Sequence, residues 1–180
     1  EKPAASRVGR SRRSFALSAA IWVFCVFILA TANVEFFRQT LAVYPVSEHW
    51  PFLLALSVVL LSATVIFFCV FSLVLPVRIV AALFLIIAAV AGYFSDALSV
   101  VVDTEMIRNI LHTDAREASD LMHWGLIGRL LVLGVIPIVL VFAVPLRPLS
   151  LPRRQLALAM TAGIAALAIV ACLLPFSGDF

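Results

Sequence analysis

Five long stretches without a charged residue decide what this chain can fold into. They cover residues 14–34, 50–77, 79–95, 130–146 and 155–178, and the fourth extends back to Trp124 across Arg129. A membrane-spanning helix needs about 20 mostly apolar residues, with a lower limit of about 17. Strands of a membrane barrel are shorter and alternate, which these stretches do not. The sequence therefore predicts an all-α, polytopic membrane protein with five transmembrane helices and short interfacial helices.

The composition excludes other classes of protein. Hydrophobic residues make up 64% of the chain and charged residues 13%, whereas a soluble domain carries about 25% charged residues. Disordered chains are poor in apolar residues and are excluded for the same reason. The basic residues do not cluster as in a nucleic-acid-binding domain. The cysteines Cys25, Cys69 and Cys172 lie in apolar stretches without metal-binding spacing, so no disulfide or metal is implied.

The charges predict the orientation. Nine of the 13 basic residues fall on one side of the five spans, and nine of the ten acids fall on the other. Because cytoplasmic loops carry an excess of arginine and lysine, the first side is predicted to be cytoplasmic, with the N-terminus there and the C-terminus outside. The cytoplasmic basic residues are Lys2, Arg7, Arg10, Arg12, Arg13, Arg78, Arg147, Arg153 and Arg154.

The predicted organisation has three parts. Residues 1–13 form a basic cytoplasmic N-terminus, residues 14–176 form the transmembrane domain, and residues 177–180 begin a linker. The predicted spans are about 14–34, 51–75, 78–95, 124–145 and 155–176, and the outer loops are 35–49 and 96–123. The first span has an alternative interpretation, because three arginines precede it and Ala30-Thr31-Ala32 resembles a signal-peptidase site. Cleavage there would leave four helices.

The first outer loop predicts a short helix on the membrane surface. Phe36, Phe37, Leu41 and Tyr44 follow helical spacing, and Pro45 would end the helix. A membrane anchor is favoured over a role in substrate binding.

The second outer loop contains the most informative pattern. Glu105, Asn109, Thr113 and Glu117 recur every four residues and would form a polar stripe on one helix. A carboxylate attracts an ammonium group, and Asn and Thr hydrogen-bond to phosphate or ester oxygens. The stripe therefore suits a zwitterionic lipid headgroup. A solvated amphipathic helix explains the same spacing, and spacing alone favours that explanation.

Other candidate chemistry is weaker. His112, Asp114 and Glu117 lack the spacing of a known metal site, so neither a metal site nor a catalytic group is predicted within this chain. Arg129 either extends to the outer interface or contacts a lipid phosphate. In the last span, two pairs of small residues predict packing inside the bundle: Ala159 with Gly163, and Ala162 with Ala166.

Several strings of residues together resemble one family, the lipid A phosphoethanolamine transferases, which include the mobile colistin-resistance enzymes. The resemblance is to their N-terminal membrane domain. The most specific string runs from Asp103-Thr104 through Met106, Asn109 and Thr113-Asp114 to Glu117. Two shorter strings support it: Asn33-x-x-Phe36-Phe37 with Tyr44-Pro45, and Tyr93-Phe94-Ser95-Asp96.

The resemblance implies a multi-pass protein of the Gram-negative inner membrane that works in polymyxin resistance. Such enzymes move phosphoethanolamine from phosphatidylethanolamine to lipid A or a related periplasmic acceptor. A threonine nucleophile and zinc act in a periplasmic domain, which would follow the fifth span and is not in this sequence. The chain would then anchor the enzyme and be inactive alone. The implied partners are both lipids and that domain, with no nucleic acid.

The resemblance places Asn109, Thr113 and Glu117 near the lipid substrate. Glu105, His112 and Arg129 are further candidates for substrate binding, which the resemblance itself does not supply. The alternatives are a small transporter and a non-catalytic membrane scaffold. A transporter is disfavoured because the polar residues within the spans are mild and no internal repeat is present.

Overall fold

The computed structural model describes residues 4–98, 124–144 and 149–174, with side chains from residue 14 to residue 96 in the first range. Every element in these ranges is helical. In chain order they are α1 (Ala4–Ala32), α2 (Val34–Val43), α3 (Val46–Val74), α4 (Val77–Leu98), α5 (Trp124–Ala143) and α6 (Leu151–Leu173).

Five of these helices are long and apolar enough to cross a membrane, and α2, with ten residues, is not one of them. The prediction of an all-α protein with five spans is therefore confirmed for the described ranges. The short helix α2 follows the first span directly, as the pattern of Phe36, Phe37 and Leu41 predicts. The protein is a multi-pass membrane protein.

The second span begins earlier than the sequence indicates. The predicted loop 35–49 is mostly helix, because α2 occupies its first part and α3 begins at Val46 rather than at residue 51. A kink at His49, with φ −121° and ψ 22°, divides α3. Pro51 then lies in the first turn beyond the kink, where the missing N–H of proline removes no helical hydrogen bond.

The core lies between α1, α3, α4 and α6. Its fully buried side chains include Cys25, Val65, Val80 and Leu158. The most extensive helix contact is that of α3 with α6, and small side chains allow it, since small residues let helix backbones approach closely. The buried small residues are Ser62, Cys69 and Ser72 on α3, with Ala157, Thr161 and Ala165 on α6.

The prediction that the small-residue pairs of α6 pack inside the bundle is wrong for three of the four residues. A Cβ added at Gly163 meets nothing within 4 Å, and Ala159 and Ala166 are exposed, so only Ala162 packs against the core. The buried stripe runs through Thr161 instead, two residues and therefore about 200° around the helix from Gly163. The Thr161 hydroxyl oxygen lies 2.8 Å from the Ser18 hydroxyl oxygen of α1, which joins these two helices.

Helix α5 packs mainly on α4 and contains a wide π-helical turn at Leu130–Val135. The turn precedes Pro137, which has no N–H and whose ring would collide with the carbonyl four residues earlier. The Ile136 N–H reaches back five residues to the Leu131 carbonyl, and this wider turn accommodates the proline.

An arginine secures the other end of α5. Arg78, in the first turn of α4, donates a hydrogen bond of 2.7 Å to the Val144 carbonyl, just beyond the last turn of α5. Its guanidinium also lies 5.9 Å from the centre of the Phe142 ring. A cation at the carbonyl end of a helix satisfies the free carbonyl groups and opposes the helix dipole.

Candidate functional site

A shallow cavity of about 760 Å³, open over most of its surface, lies where α1 and α4 end and α5 begins. We call it the Arg129 cavity and define it by Thr31, Tyr93, Asp96, Gly125, Gly128 and Arg129. Apolar side chains from α1, α2 and α5 complete its wall. The cavity lies at an end of the spans, so it combines an apolar wall with a few charged groups, as ligand sites commonly do.

Arg129 connects three helices in the wall of this cavity. Its Nη1 pairs with a carboxylate oxygen of Asp96 on α4, and its Nη2 donates a hydrogen bond of 3.0 Å to the Thr31 carbonyl of α1. The arginine side chain is 17% exposed and that of Asp96 is 35% exposed. Arg129 is therefore held within the protein rather than extended alone to the interface.

The Nε of Arg129 is left without a partner. It is buried, and no hydrogen-bond acceptor reaches it in the described part of the chain. Buried N–H groups of proteins are almost always hydrogen-bonded, so an unpaired one is unusual.

Gly92 makes the position of Arg129 possible. A Cβ at residue 92 would lie 2.8 Å from Nη2 of Arg129 and 3.2 Å from the Cα of Ala32. Both distances are shorter than ordinary van der Waals contact, and the second involves backbone. A side chain at residue 92 would therefore require the guanidinium to move and α1 to shift away from α4.

Two more glycines shape the α5 side of the cavity. A Cβ at Gly125 would meet the Tyr93 ring at 3.4 Å, while a Cβ at Gly128 would meet nothing within 4 Å. The absence of side chains at these positions leaves α5 open beside Arg129.

A second ion pair lies on α2, which packs against α4. The Glu35 carboxylate is 6% exposed and accepts hydrogen bonds from Gln39 Nε2 at 2.9 Å and from Arg38 Nη2 at 3.0 Å. The hydrogen bond from Gln39, and next that from Arg38, lowers the pKa of Glu35 below its usual value of 4.5. Glu35 is therefore ionised at neutral pH.

This lowered pKa predicts a loss of stability in acid. When the folded-state pKa lies below the unfolded one, the ionised group stabilises the fold above the unfolded value, and the contribution disappears as the pH falls through the folded value. As the pH falls below about 4.5, we expect the wild-type protein to lose more stability than a Glu35→Gln variant. Thermal unfolding in detergent at several pH values measures this difference. Parallel pH profiles for the two proteins would contradict it.

Aromatic side chains surround the same end of the bundle. The Tyr44 ring lies 5.4 Å from the His49 ring and 4.9 Å from the Phe52 ring, between centroids. Trp50 and Trp124 are 62% and 86% exposed. Tryptophan and tyrosine are enriched at membrane–water boundaries, so these rings place the boundary near the Arg129 cavity.

Most of the residues predicted to bind substrate lie outside the described ranges. Asn109, Thr113 and Glu117, together with Glu105 and His112, fall within 99–123. Arg129 is the predicted site residue that the structure describes. Sequence reasoning missed its partner Asp96, although this acid ends the third apolar stretch and belongs to a string quoted above. It also missed Gly92, for which the sequence gives no signal.

Within residues 4–98, 124–144 and 149–174, no three side chains of the metal-binding types come together. The expectation that this chain holds no metal stays a prediction.

The fold and cavity define a class: a helical membrane domain with a charged cavity at one end of its spans. A family model described as phosphoethanolamine transferase EptA/EptB matches residues 60–180. The chain belongs to this phosphoethanolamine transferase family, which confirms the resemblance inferred from the sequence.

Individual relatives agree with this family. The chain is 33% identical over 155 residues to phosphatidylethanolamine transferase Mcr-2 of Escherichia coli, covering 86% of this chain and 29% of that protein. It is 38% identical over 136 residues to Mcr-1 of Escherichia coli, covering 73% and 24%. It is 28% identical over 144 residues to phosphoethanolamine transferase EptA of Salmonella typhimurium, covering 76% and 25%. The chain thus spans less than a third of the length of these relatives. No solved structure matches it.

Proposed function

We propose that this chain is the membrane part of an enzyme that moves phosphoethanolamine from phosphatidylethanolamine to lipid A or a related periplasmic acceptor. The observation that carries the proposal is membership of the phosphoethanolamine transferase family. The transfer breaks the bond between the phosphate and the glycerol oxygen of the donor, and diacylglycerol is left. The phosphate forms a bond to an oxygen of the acceptor, and the proton that this oxygen loses balances the proton that the glycerol oxygen gains in diacylglycerol.

In this proposal the chain anchors the enzyme and helps to bind its lipid substrates, and catalysis takes place elsewhere. A threonine nucleophile and zinc ions act in a periplasmic domain that is not in this sequence. Five apolar helices support the anchoring role. We expect no catalytic residue and no metal ligand to come from this chain, and we expect it to be inactive alone.

We propose that the Arg129 cavity faces the periplasm and that the N-terminus is cytoplasmic, in the inner membrane. The distribution of charge supports this orientation. Glu35, Glu48 and Asp96 lie at the end of the bundle that holds the cavity, whereas Arg78 and Arg153 lie at the other end. Positive charge is concentrated on the cytoplasmic side of membrane proteins.

Asn109, Thr113 and Glu117 are proposed to bind the lipid headgroup, with Glu105 and His112 nearby. The resemblance supports these roles. Helix α4 ends at Leu98 and α5 begins at Trp124. Both helices line the Arg129 cavity.

The full-length enzyme tests this function. Lipid A from cells that express it should gain the mass of one phosphoethanolamine group, and diacylglycerol should be released in proportion. Cells that express residues 1–180 alone should show no change. The proposal would be wrong if the full-length protein were produced in the membrane while neither lipid A nor another acceptor gained the group.

A further inference from the structure

We propose that the Arg129 cavity binds the phosphate group of a membrane phospholipid, with Arg129 as the binding residue and Asp96 as a positioning residue. The proposal deepens the function proposed above, because that function requires such a lipid at this end of the bundle. It concerns binding, however, and can be tested separately from transfer.

The guanidinium of Arg129 carries more N–H donors than its two contacts use. A guanidinium carries five N–H donors and no acceptor. Within the described ranges, one of them pairs with Asp96 and one binds the Thr31 carbonyl, which leaves two on the Nη nitrogens and the buried Nε–H. A phosphate offers oxygens that pair with two guanidinium N–H groups at once, which is why arginine is preferred for recognising phosphate. Arg129 lines the cavity with a side chain that is 17% exposed, so a phosphate oxygen there is an acceptor for the remaining Nη N–H groups rather than for the buried Nε.

Asp96 fixes the guanidinium from the opposite helix. Its carboxylate pairs with Nη1, and the Thr31 carbonyl accepts a hydrogen bond from Nη2. Gly92 leaves the space that Nη2 occupies. These contacts from α1 and α4 hold the plane of the guanidinium before a ligand arrives, which lowers the entropy cost of binding. The negative charge of Asp96 also repels a phosphate. The carboxylate therefore positions Arg129 and at the same time limits its affinity.

The size and lining of the cavity favour a lipid over a free anion. A volume of about 760 Å³ is far larger than a phosphate ion needs. Its wall includes the apolar residues Val34, Val132 and Leu133, which suit the glycerol and the first methylene groups of a phospholipid. Gly128 leaves the α5 side open, so a lipid can enter from the membrane.

The test measures lipid binding by the purified full-length enzyme in detergent. Phosphatidylethanolamine, phosphatidylglycerol, diacylglycerol and inorganic phosphate are titrated separately, and bound lipid is counted by native mass spectrometry. The variants are Arg129→Gln and Asp96→Asn. Arg38→Gln is the matched control, because Arg38 is also an arginine paired with a carboxylate near this end, but its side chain is 68% exposed.

We expect the wild-type enzyme to hold both phospholipids more tightly than diacylglycerol. Arg129→Gln should weaken phospholipid binding about tenfold and leave diacylglycerol binding unchanged, because it removes charge-assisted hydrogen bonds to the phosphate. Asp96→Asn should strengthen phospholipid binding, because it removes the repulsion but keeps an oxygen as acceptor. Arg38→Gln should change neither.

Several results would overturn the proposal. One is equal binding of diacylglycerol and phospholipid by the wild-type enzyme. Another is inorganic phosphate binding as tightly as phospholipid, which would indicate a free-anion site. A third is the result expected if the ion pair is purely structural. Arg129→Gln and Asp96→Asn would then both lower the unfolding temperature, and neither would alter the preference for phospholipid over diacylglycerol. If Arg129→Gln does not fold, the double variant Asp96→Asn/Arg129→Gln removes both charges and must show the same loss of phospholipid binding.

The outcomes separate this inference from the function on which it rests. Transfer by the wild-type enzyme together with unchanged phospholipid binding by the Arg129→Gln variant would reject the phosphate site alone. Phospholipid binding that depends on Arg129, in an enzyme that transfers nothing to any acceptor, would reject the transferase function alone.

Discussion

Replacing Gly92 by leucine is expected to unfold the junction of α1, α4 and α5, whereas the same change at Gly163 should leave the protein intact. Even a Cβ at residue 92 would lie 3.2 Å from the Ala32 Cα and 2.8 Å from Nη2 of Arg129. A leucine adds three more carbons, so α1 and α4 must separate and Arg129 must leave the Thr31 carbonyl. Overpacking of a well-packed site costs about 1–3 kcal/mol, and more where backbone cannot move.

The matched control removes the general effect of placing leucine in a membrane helix. Gly163 also lies within a span, and a Cβ there meets nothing within 4 Å. We expect Gly163→Leu to change stability by less than about 0.5 kcal/mol, as is usual for exposed substitutions. Thermal unfolding and resistance to protease in detergent measure both variants. Equal stability of the Gly92→Leu and Gly163→Leu proteins would contradict the close contact at Gly92.

Removing the polar groups of the proposed headgroup site should abolish lipid A modification without loss of protein. In the full-length enzyme, Asn109→Ala or Glu117→Ala deletes a group that would bind the phosphate or the ammonium of the substrate. Hydrogen bonds to charged groups contribute about 1.5–3 kcal/mol each, so the double variant should lose at least about 100-fold in transfer. The mass spectrum of lipid A from expressing cells measures the transfer, and immunoblotting of membranes measures the protein.

Glu48→Ala is the control for charge at this end of the bundle. Glu48 is an exposed acid in the first turn of α3, and no substrate role is proposed for it. We expect its variant to modify lipid A as the wild-type enzyme does. Unchanged modification by the Asn109→Ala/Glu117→Ala double variant would reject the assignment of these residues.

The spans were predictable because the membrane imposes a single strong requirement, about 20 apolar residues for each helix. The limits of prediction appear where two local rules compete. Pro51 suggests the start of a span, but α3 begins at Val46 because a kink at His49 lets proline occupy a first turn. On α6, small residues lie on opposite faces, and only packing shows that Thr161 is inside and Gly163 outside.

The candidate site was predictable only in part. Arg129 stands out because a charge beside an apolar stretch is costly. Its partners do not, since Asp96 is 33 residues away and Thr31 contributes a backbone carbonyl 98 residues away. Such long-range pairs depend on which helices become neighbours. The lipid-binding roles of Asn109, Thr113 and Glu117 rest on resemblance and stay predictions.

The proposed orientation has the Arg129 cavity open on the periplasmic side and Arg153, in the first turn of α6, on the opposite side. Single cysteines at Glu48 and Arg153 test it, in a full-length protein whose Cys25, Cys69 and Cys172 are replaced by alanine. A membrane-impermeant maleimide is added to spheroplasts before and after lysis. We expect Glu48→Cys to be labelled in intact spheroplasts and Arg153→Cys only after lysis. Labelling of both cysteines in intact spheroplasts, or of Arg153→Cys alone, would contradict it.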